Sequence, residues 1–387
     1  MASLFKDGKT WYYSIDIGKD HNGKRKKQKR GGFRTKKEAQ DAAALVQTDL
    51  LHNTFVIEKD ITFREFSKDW FKNYSMQVKK STARIRQHEI DKLKQYFDLI
   101  KMKDITKKQY QDSLIDLQKN GFATNTISGV HGTARMIFKK AVELDVIKTD
   151  PTQYARPPRK VETLEEIEKS TDIPNYLEKD ELSTFLRFAH DAGMEFDYTI
   201  FLVLAYTGIR AGELCALKWQ DIDFNEQTIK ISRTYYNPKN NIQDYELQPP
   251  KTKTSRRTIH VSKRVINELK IHRAKQNKFK MLNKDRWHDE DFVFCTNRYP
   301  GYPIYIKLIE NRMDRLLRIS GLNQELTPHS LRHTHTSLLA EAGVSLEEIM
   351  ERLGHSDDDT TRKVYLHVTK DMKKEAAHKF DTLMDNL

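Results

Sequence analysis

Two arginines in the C-terminal half of the chain stand where helices are predicted to end or begin. Arg210 comes just after the apolar stretch YTIFLVLAYTG, whose closing glycine predicts a helix end. His329 and Arg332 are three residues apart in HSLRH, at the start of another predicted helix, and this spacing directs both side chains to one place. A guanidinium binds two phosphate oxygens, and a helix N-terminus attracts anions. These residues therefore predict a site for a phosphate group.

Further side chains could supply a nucleophile and proton transfer. In RLGHSDDDTTRKVYLHV, His355 follows the helix-ending glycine Gly354, and Tyr365 follows on a short predicted helix. Lys251 and Lys253 precede a predicted strand in PPKTKTSRRTIHV. Histidine can accept the proton of a phenol, lysine can protonate a departing oxygen, and tyrosine can attack phosphorus. Together with the arginines, the set describes attack of Tyr365 on a DNA phosphodiester. The bond energy would be stored in a phosphotyrosine, so no cofactor is required.

Ordinary structural roles compete with this interpretation. Arg210 could be a surface arginine paired with Glu213 three residues on, the lysines a solvated turn, and Tyr365 an interior tyrosine. The acids 357–359 and Thr360 resemble the cap of the helix that carries Tyr365.

A metal site is a second alternative, because His329 and His333 are four residues apart and His335 is close by. A metal-dependent nuclease could also use His355. However, no carboxylate stands between the first two histidines as it does in HExxH, so we expect no metal.

The composition points to an acidic partner. The chain has 387 residues and a net charge of +13, which favours nucleic acid over the competing anionic membrane surface. It has no apolar run long enough for a membrane helix, and the N-terminus lacks a secretory signal. Its two cysteines, Cys215 and Cys295, are too few for a disulfide framework or zinc site and suggest a reducing cytoplasm.

The sequence predicts a multidomain α+β protein. Residues 1–58 predict a small domain of two or three strands and one helix capped by Thr35. Its basic run could be a solvated turn, but the neighbouring aromatic residues favour a DNA-facing sheet. The candidate DNA-binding residues are Lys24, Arg25, Lys26, Lys27, Lys29 and Arg30.

The rest of the chain predicts a helical domain at 61–155, a linker at 156–174 and a mixed, mainly helical domain at 175–387. Phe63, Phe66, Trp70 and Tyr74 form a core stripe at helical spacing. EQTIKISRTYY, RRTIHV and DFVFC predict three strands in the last domain. The predicted helix caps are Ser81, Thr106, Thr327 with Pro328 at the first helical position, and Ser345 with Glu348.

The motifs TGIRAGEL, HSLRHTH and LGHS, followed by Tyr365, resemble the tyrosine recombinase (phage integrase) family. The domain order is similar to integrases of temperate phages and conjugative transposons of Gram-positive bacteria. The resemblance implies that Arg210 and Arg332 clamp the scissile phosphate, that His329 is a general acid/base and that His355 donates a hydrogen bond to the phosphate. It implies that Tyr365 is the nucleophile that takes the 3′ phosphate.

The resemblance also implies that Lys251 protonates the 5′ oxygen, with Lys253 as its competitor, and that Glu213 orients Arg210. It makes 1–58 an arm-type DNA-binding domain and 61–155 the domain that binds the core site. The C-terminal tail would be an amphipathic helix that docks on a neighbouring subunit, with Ala377, Phe380 and Leu383 on its apolar face. The family often has an apolar residue where Asp358 stands, and the three acids have only a capping explanation.

The function expected from the resemblance is integration and excision of a mobile element by a site-specific recombinase. The partners would be double-stranded DNA with core and arm sites, a homotetramer on that DNA, and an excisionase or DNA-bending protein. The location would be the bacterial cytoplasm, at the nucleoid, with no membrane partner. A chromosome-dimer resolvase of the same family and a DNA-binding regulator without catalysis are the alternatives.

Overall fold

The structure is a computed structural model that describes residues 2–19, 23–51, 60–158, 175–250, 253–354 and 359–369. The chain divides into two compact units between residues 161 and 162. Within the described ranges, no helix is long and apolar enough to cross a membrane. Most of the predicted linker at 156–174 and the whole predicted tail helix lie outside these ranges.

The N-terminal residues form a three-stranded antiparallel sheet with a helix on one face, as predicted. The elements are β1 (Ser3–Asp7), β2 (Thr10–Lys19), β3 (Arg25–Phe33) and α1 (Lys36–Leu51), with β2 in the middle of the sheet. Side chains alternate between the faces of a strand, and Tyr13 and Ile15 of β2 are buried together with Ala43 of α1. The hydroxyl of Thr35 accepts a hydrogen bond from the backbone of Glu38 at 3.2 Å, as its predicted capping role requires.

The next domain is helical. Its helices are α2 (Phe63–Ser75), α3 (Lys80–Phe97), α4 (Lys107–Lys119) and α5 (Thr124–Glu143). Phe63 and Phe66 of the predicted stripe are buried in its core, and Thr106 caps α4 as predicted. The predicted cap at Ser81 is wrong. The carbonyl of Lys79 already accepts the first helical hydrogen bond, from Ala83 at 3.0 Å, so Ser81 lies inside the first turn.

The second unit combines helices with short strands. The helices are α6 (Lys179–Asp191), α7 (Asp197–Thr207), α8 (Ala211–Cys215), α9 (Lys263–Leu282), α10 (Ile306–Ser320), α11 (Ser330–Glu341), α12 (Leu346–Leu353) and α13 (359–369). The strands are β4 (Ile222–Asp223), β5 (Thr228–Ile231), β6 (Thr234–Tyr236), β7 (Glu246–Gln248) and β8 (Arg257–His260). One sheet has the order β4-β5-β8, and β6 pairs with β7. The predicted multidomain α+β organisation is confirmed.

The predicted strand DFVFC is wrong. Its residues form only isolated bridges, and the third strand of the sheet is β4. The four residues from Phe292 to Cys295 are all buried, and buried side chains of α9 bind their carbonyls: His272 binds that of Val293, and Gln276 binds those of Phe292 and Val293. Side chains satisfy these carbonyls, and other backbone groups make separate bonds, such as that from the N–H of Val293 to the carbonyl of Leu217 at 2.9 Å, so the segment forms no continuous strand.

The predicted start of α11 is also wrong, by two residues. The helix begins at Ser330, and His329 occupies the capping position. The backbone N–H of Ser330 donates to the carbonyl of Thr327 at 2.8 Å, so Thr327 and Pro328 belong to a turn that precedes the helix. The predicted cap of α12 is confirmed, because Ser345 and Glu348 form a reciprocal capping box.

Candidate active site

Arg332 is a buried residue of the candidate site, only 2% exposed. Its Nη1 donates to the carbonyl of Gly208 at 2.6 Å, and its Nη2 donates to the carbonyl of Leu353 at 2.7 Å. These carbonyls stand at the C-terminal ends of α7 and α12, where backbone carbonyls lack helical partners and carry partial negative charge. Arg332 therefore joins three helices, and it holds the segment that leads into Arg210.

Gly208 allows this close approach. It ends α7 with a φ of +64°, in the left-handed region that favours glycine. A Cβ at this position would lie 2.7 Å from Cδ2 of His335 and 2.7 Å from Cδ2 of Leu353. A side chain here would therefore push apart the groups that Arg332 joins.

We expect Gly208→Ala to lower the free energy of unfolding by about 2–4 kcal/mol, since it adds a clash to the cost of a left-handed alanine. Urea unfolding followed by circular dichroism measures this loss. Gly321→Ala is the matched control, because Gly321 ends α10 with a φ of +70° and a Cβ there meets nothing within 4 Å. The control should cost only about 1–2 kcal/mol. Equal losses in the two variants would contradict the close packing around Gly208.

Arg210 occupies the capping position before α8, and its side chain is 37% exposed. Its Nη1 donates to Oε1 of Glu213 at 3.1 Å, and its backbone N–H donates to Oε2 at 3.0 Å. The pairing that the sequence suggested is therefore present, and the guanidinium is still partly open to a ligand. A forked donor held in this way can bind an anionic phosphate oxygen.

Glu213 also binds Arg257, which no sequence motif singled out. Arg257 of β8 donates to Glu213 through Nη2 at 2.9 Å and Nη1 at 3.3 Å, and its side chain is only 6% exposed. Burial raises the pKa of Glu213, but the hydrogen bonds and charges of Arg257 and Arg210 outweigh it, and the net shift is downward. The strand pattern offered one signal, because Arg257 shares a face with Ile259, which is buried.

The histidines of α11 have different surroundings. His329 is exposed at the helix start, with its ring centroid 4.9 Å from that of His333. His335 is buried, and its Nε2 accepts from Nε of Arg352 at 3.0 Å while its Nδ1 donates to the carbonyl of Ala205 at 2.9 Å. Burial, with the nearby charge of Arg352, lowers the pKa of His335 to about 3. His335 is thus neutral with both ring nitrogens bonded, which argues against it as a metal ligand.

Tyr365 lies on α13 and is half-buried. Its ring packs against a cluster of Ala340, Ile349 and Leu353, and its backbone carbonyl accepts from the hydroxyl of Thr369 at 2.8 Å. The same Leu353 gives its carbonyl to Arg332. The end of α12 therefore binds the buried arginine and contributes Leu353 to the cluster against which the tyrosine packs.

Three parts of the predicted site lie wholly or partly outside the described residues. They are Lys251, His355 and the acids 357–359, of which only Asp359 is described, at the start of α13. The backbone of Lys253 starts a short 3-10 helix, Lys253–Ser255. Gly354 ends α12 with a φ of +71°, as predicted.

The six basic residues proposed to bind DNA are all exposed, on β3 or directly before it. In the antiparallel register, Lys27 lies opposite Asp16 and Lys29 lies opposite Ser14. Arg30 lies opposite Tyr13, whose side chain is in the core. Because side chains alternate, Lys27 and Lys29 project from the open face of the sheet. Lys26 and Arg30 project from the face that carries α1, Arg25 lies 4.0 Å from Asp16, and Lys24 precedes the strand.

Aromatic rings line the open face beside Lys29. The rings of Phe5 and Tyr12 stack at 5.6 Å, and the ammonium of Lys29 lies 4.7 Å from the centroid of Phe5 and 5.3 Å from that of Tyr12. A Cβ at Gly31 would lie 1.9 Å from the ring of Tyr12, so only glycine lets this ring lie across β3. The open face is thus an aromatic surface with cations at its edge.

Family profiles match three parts of the chain. The profile of the Phage integrase family matches residues 175–372, an Arm DNA-binding domain matches 4–50, and a Phage integrase N-terminal SAM-like domain matches 62–117. The integrase of Staphylococcus phage L54a is 32% identical over 287 residues, which cover 71% of this chain and 79% of the phage protein. A tyrosine recombinase XerC-like protein of Caldanaerobacter subterraneus is 29% identical over 99% of this chain and 98% of its own length.

Solved structures share the fold. The Tn1549 transposon integrase in complex with a circular intermediate DNA has a TM-score of 0.66 at 20% identity, and the match covers 83% of this chain and 99% of that chain. The lambda integrase tetramer bound to a Holliday junction has a TM-score of 0.56 at 17% identity, covering 93% of this chain and 94% of that chain. From its family match and its relatives, this chain belongs to the phage integrase family and is a site-specific DNA recombinase of the tyrosine type.

Proposed function

We propose that this integrase cleaves DNA by forming a covalent bond between Tyr365 and a 3′ phosphate, with Arg210 and Arg332 holding the scissile phosphate. The position of Arg332 is the observation that carries the proposal. Its guanidinium binds the helix end that leads into Arg210 and the carbonyl of Leu353, a residue of the buried cluster against which Tyr365 packs. Two forked cations and a phenol thus belong to one packed unit, and this combination suits attack on a phosphodiester.

The reaction balances without an added reactant. The phenol oxygen of Tyr365 attacks phosphorus and the bond to the 5′ oxygen breaks, so one phosphodiester replaces another. We assign acceptance of the phenol proton to His329 and protonation of the 5′ oxygen to Lys251, with Lys253 as its competitor. His355 would donate a further hydrogen bond to the phosphate. Attack of a 5′ hydroxyl on the phosphotyrosine then reverses the step and rejoins a strand.

The proposal extends to the partners and the domains. Residues 1–58 would bind arm-type DNA, and 61–155 would bind the core site. Because the lambda relative was solved as a tetramer on a Holliday junction, we infer a homotetramer on paired sites. The resemblance to integrases of mobile elements adds an excisionase or DNA-bending protein as an accessory partner. The match of residues 4–50 to an arm domain favours a mobile-element integrase over a chromosome-dimer resolvase.

A plasmid assay tests the proposed chemistry. A supercoiled plasmid that carries the core site is incubated with the protein in EDTA, without nucleotides. Because the phosphotyrosine conserves the bond energy, we expect relaxed, closed circles. Loss of all cutting in EDTA would instead favour the metal-dependent nuclease. Bound but uncut plasmid would favour a DNA-binding regulator.

The two faces of the N-terminal sheet give a separate prediction. If the open face contacts DNA, Lys27→Gln with Lys29→Gln should weaken arm-site binding and reduce the slope of log K against log[salt] by up to about 2. Lys26→Gln with Arg30→Gln is the matched control, with the same change of charge on the helix-covered face. Fluorescence anisotropy at several salt concentrations measures both pairs. An equal or larger effect of the control pair would contradict this orientation.

A further inference from the structure

Arg257 joins three separate segments around the candidate site. Its Nε donates to the carbonyl of Arg352 at 2.8 Å, its Nη1 to the carbonyl of Ser255 at 3.1 Å, and its terminal nitrogens to both oxygens of Glu213. It therefore connects the loop before β8, the start of α8 and the end of α12. Its side chain is almost fully buried, so it makes these contacts in the interior of the protein.

The contacts of Arg257 complement those of Arg332. The carbonyls of Arg352 and Leu353 are consecutive at the end of α12, and each accepts a hydrogen bond from one of these two buried arginines. A helix end leaves such carbonyls without backbone partners. Two guanidinium groups therefore fix the last turn of α12, directly before the predicted position of His355.

The shared carboxylate links Arg257 to Arg210. Oε1 of Glu213 accepts from Nη1 of both arginines, and Oε2 accepts from Nη2 of Arg257 and from the backbone of Arg210. Glu213 is only 3% exposed, so its negative charge must be balanced by these neighbours. Without Arg257, the carboxylate of Glu213 would pair with the guanidinium of Arg210 alone. Arg210 would then serve as the counterion of Glu213 at the expense of binding phosphate.

We propose that Arg257 is a positioning residue for strand cleavage, which keeps Arg210 available to the scissile phosphate by balancing the charge of Glu213. The inference rests on the proposed role of Arg210 as a phosphate clamp. Arg257 itself contacts Glu213 and backbone carbonyls, so its effect on the reaction passes through Arg210 and the end of α12.

A change in the charge of the substrate distinguishes positioning from a structural role. A core site is made with an ordinary phosphodiester or with a methylphosphonate at the scissile position, where a methyl group replaces a charged oxygen. The rate of strand cleavage is measured for the wild type, Arg257→Lys and Arg257→Gln. With the phosphodiester we expect the variants to lose about 10²-fold. With the neutral substrate, the cleavage rates of the variants should lie within about 10-fold of the wild-type rate. The methylphosphonate carries less negative charge, so its cleavage depends less on Arg210.

Arg312→Lys is the matched control. Arg312 also binds a buried carboxylate and a backbone carbonyl, donating to Asp197 at 2.8 Å and to the carbonyl of Glu195 at 2.8 Å. Asp197 starts α7, about 16 Å along the helix from Gly208. Any loss in this variant should be the same for the charged and neutral substrates.

The outcomes separate the inference from the proposed function. Arg210→Lys should also be rescued by the neutral substrate. If the neutral substrate restores the cleavage rate of Arg210→Lys, but the Arg257 variants lose the same factor in rate on both substrates, the positioning role is overturned. The role of Arg210 as a phosphate clamp is then still supported. If Arg210→Lys is not rescued either, the clamp itself is wrong. Loss of cooperative unfolding in both Arg257 variants would make Arg257 a stability residue and would also overturn the inference.

Discussion

Replacing Tyr365 by phenylalanine is expected to abolish the covalent protein–DNA adduct and to lower strand cleavage by on the order of 10⁴-fold or more. The substitution removes only the hydroxyl that would attack phosphorus. The ring should keep its packing on Ala340, Ile349 and Leu353, so the fold and core-site binding should be unchanged. The adduct is trapped on a nicked core-site DNA and quantified on a denaturing gel. Fluorescence anisotropy measures binding to the core site.

Tyr198→Phe is the matched control for this experiment. Tyr198 is half-buried in the same unit, and its hydroxyl accepts from Nη2 of Arg264 at 3.0 Å. This variant should keep its cleavage rate within a few-fold of wild type. An adduct that persists in Tyr365→Phe would show that another residue is the nucleophile. Loss of DNA binding in the same variant would show that the hydroxyl has a structural role.

Arg332→Lys is expected to damage both activity and stability. Lysine keeps the charge, but a single ammonium cannot reproduce the planar fork that reaches both Gly208 and Leu353. A buried carbonyl left without a partner costs about 1–3 kcal/mol, and the misplaced charge adds to that loss. We therefore expect a drop of about 2–4 kcal/mol in the free energy of unfolding and about 10²–10³-fold slower cleavage.

Arg315→Lys is the matched control for Arg332→Lys. Nη2 of Arg315 donates to the carbonyl of Ala192, the residue that caps the end of α6, at 2.7 Å, but this contact is near the surface. Water can replace the lost hydrogen bond there, so the cost should stay below about 1 kcal/mol. Urea unfolding and the adduct assay are run on both variants. An Arg332→Lys protein with wild-type stability and cleavage would contradict these roles of Arg332.

The sequence predicted the elements whose signals are local. The period of apolar residues indicated the helices of the 61–155 domain, and Gly208 and Gly354 marked helix ends because both have a positive φ. Predictions of a helix start were wrong where neighbouring residues could also begin the helix. Ser81 and Thr327 both have the chemistry of a cap, but backbone hydrogen bonds start the helices elsewhere.

Long-range contacts account for what the sequence could not show. DFVFC has the composition of a strand, but side chains of α9 bind its backbone. Arg257 looked like one more basic residue of RRTIHV, because its partner Glu213 is distant in sequence. The motif HSLRH indicated that Arg332 could bind phosphate, yet only the fold shows that it also bonds to two helix ends.

The measurement that tests the central claim most directly is identification of the residue that carries the DNA. The covalent adduct is digested with trypsin and nuclease, and the modified peptide is sequenced by mass spectrometry. We expect the nucleotide on Tyr365, in the tryptic peptide VYLHVTK at 364–370, linked through its 3′ phosphate and with a free 5′ hydroxyl on the released strand. A nucleotide on another peptide, a 5′ linkage, or cut DNA without any adduct would contradict the claim.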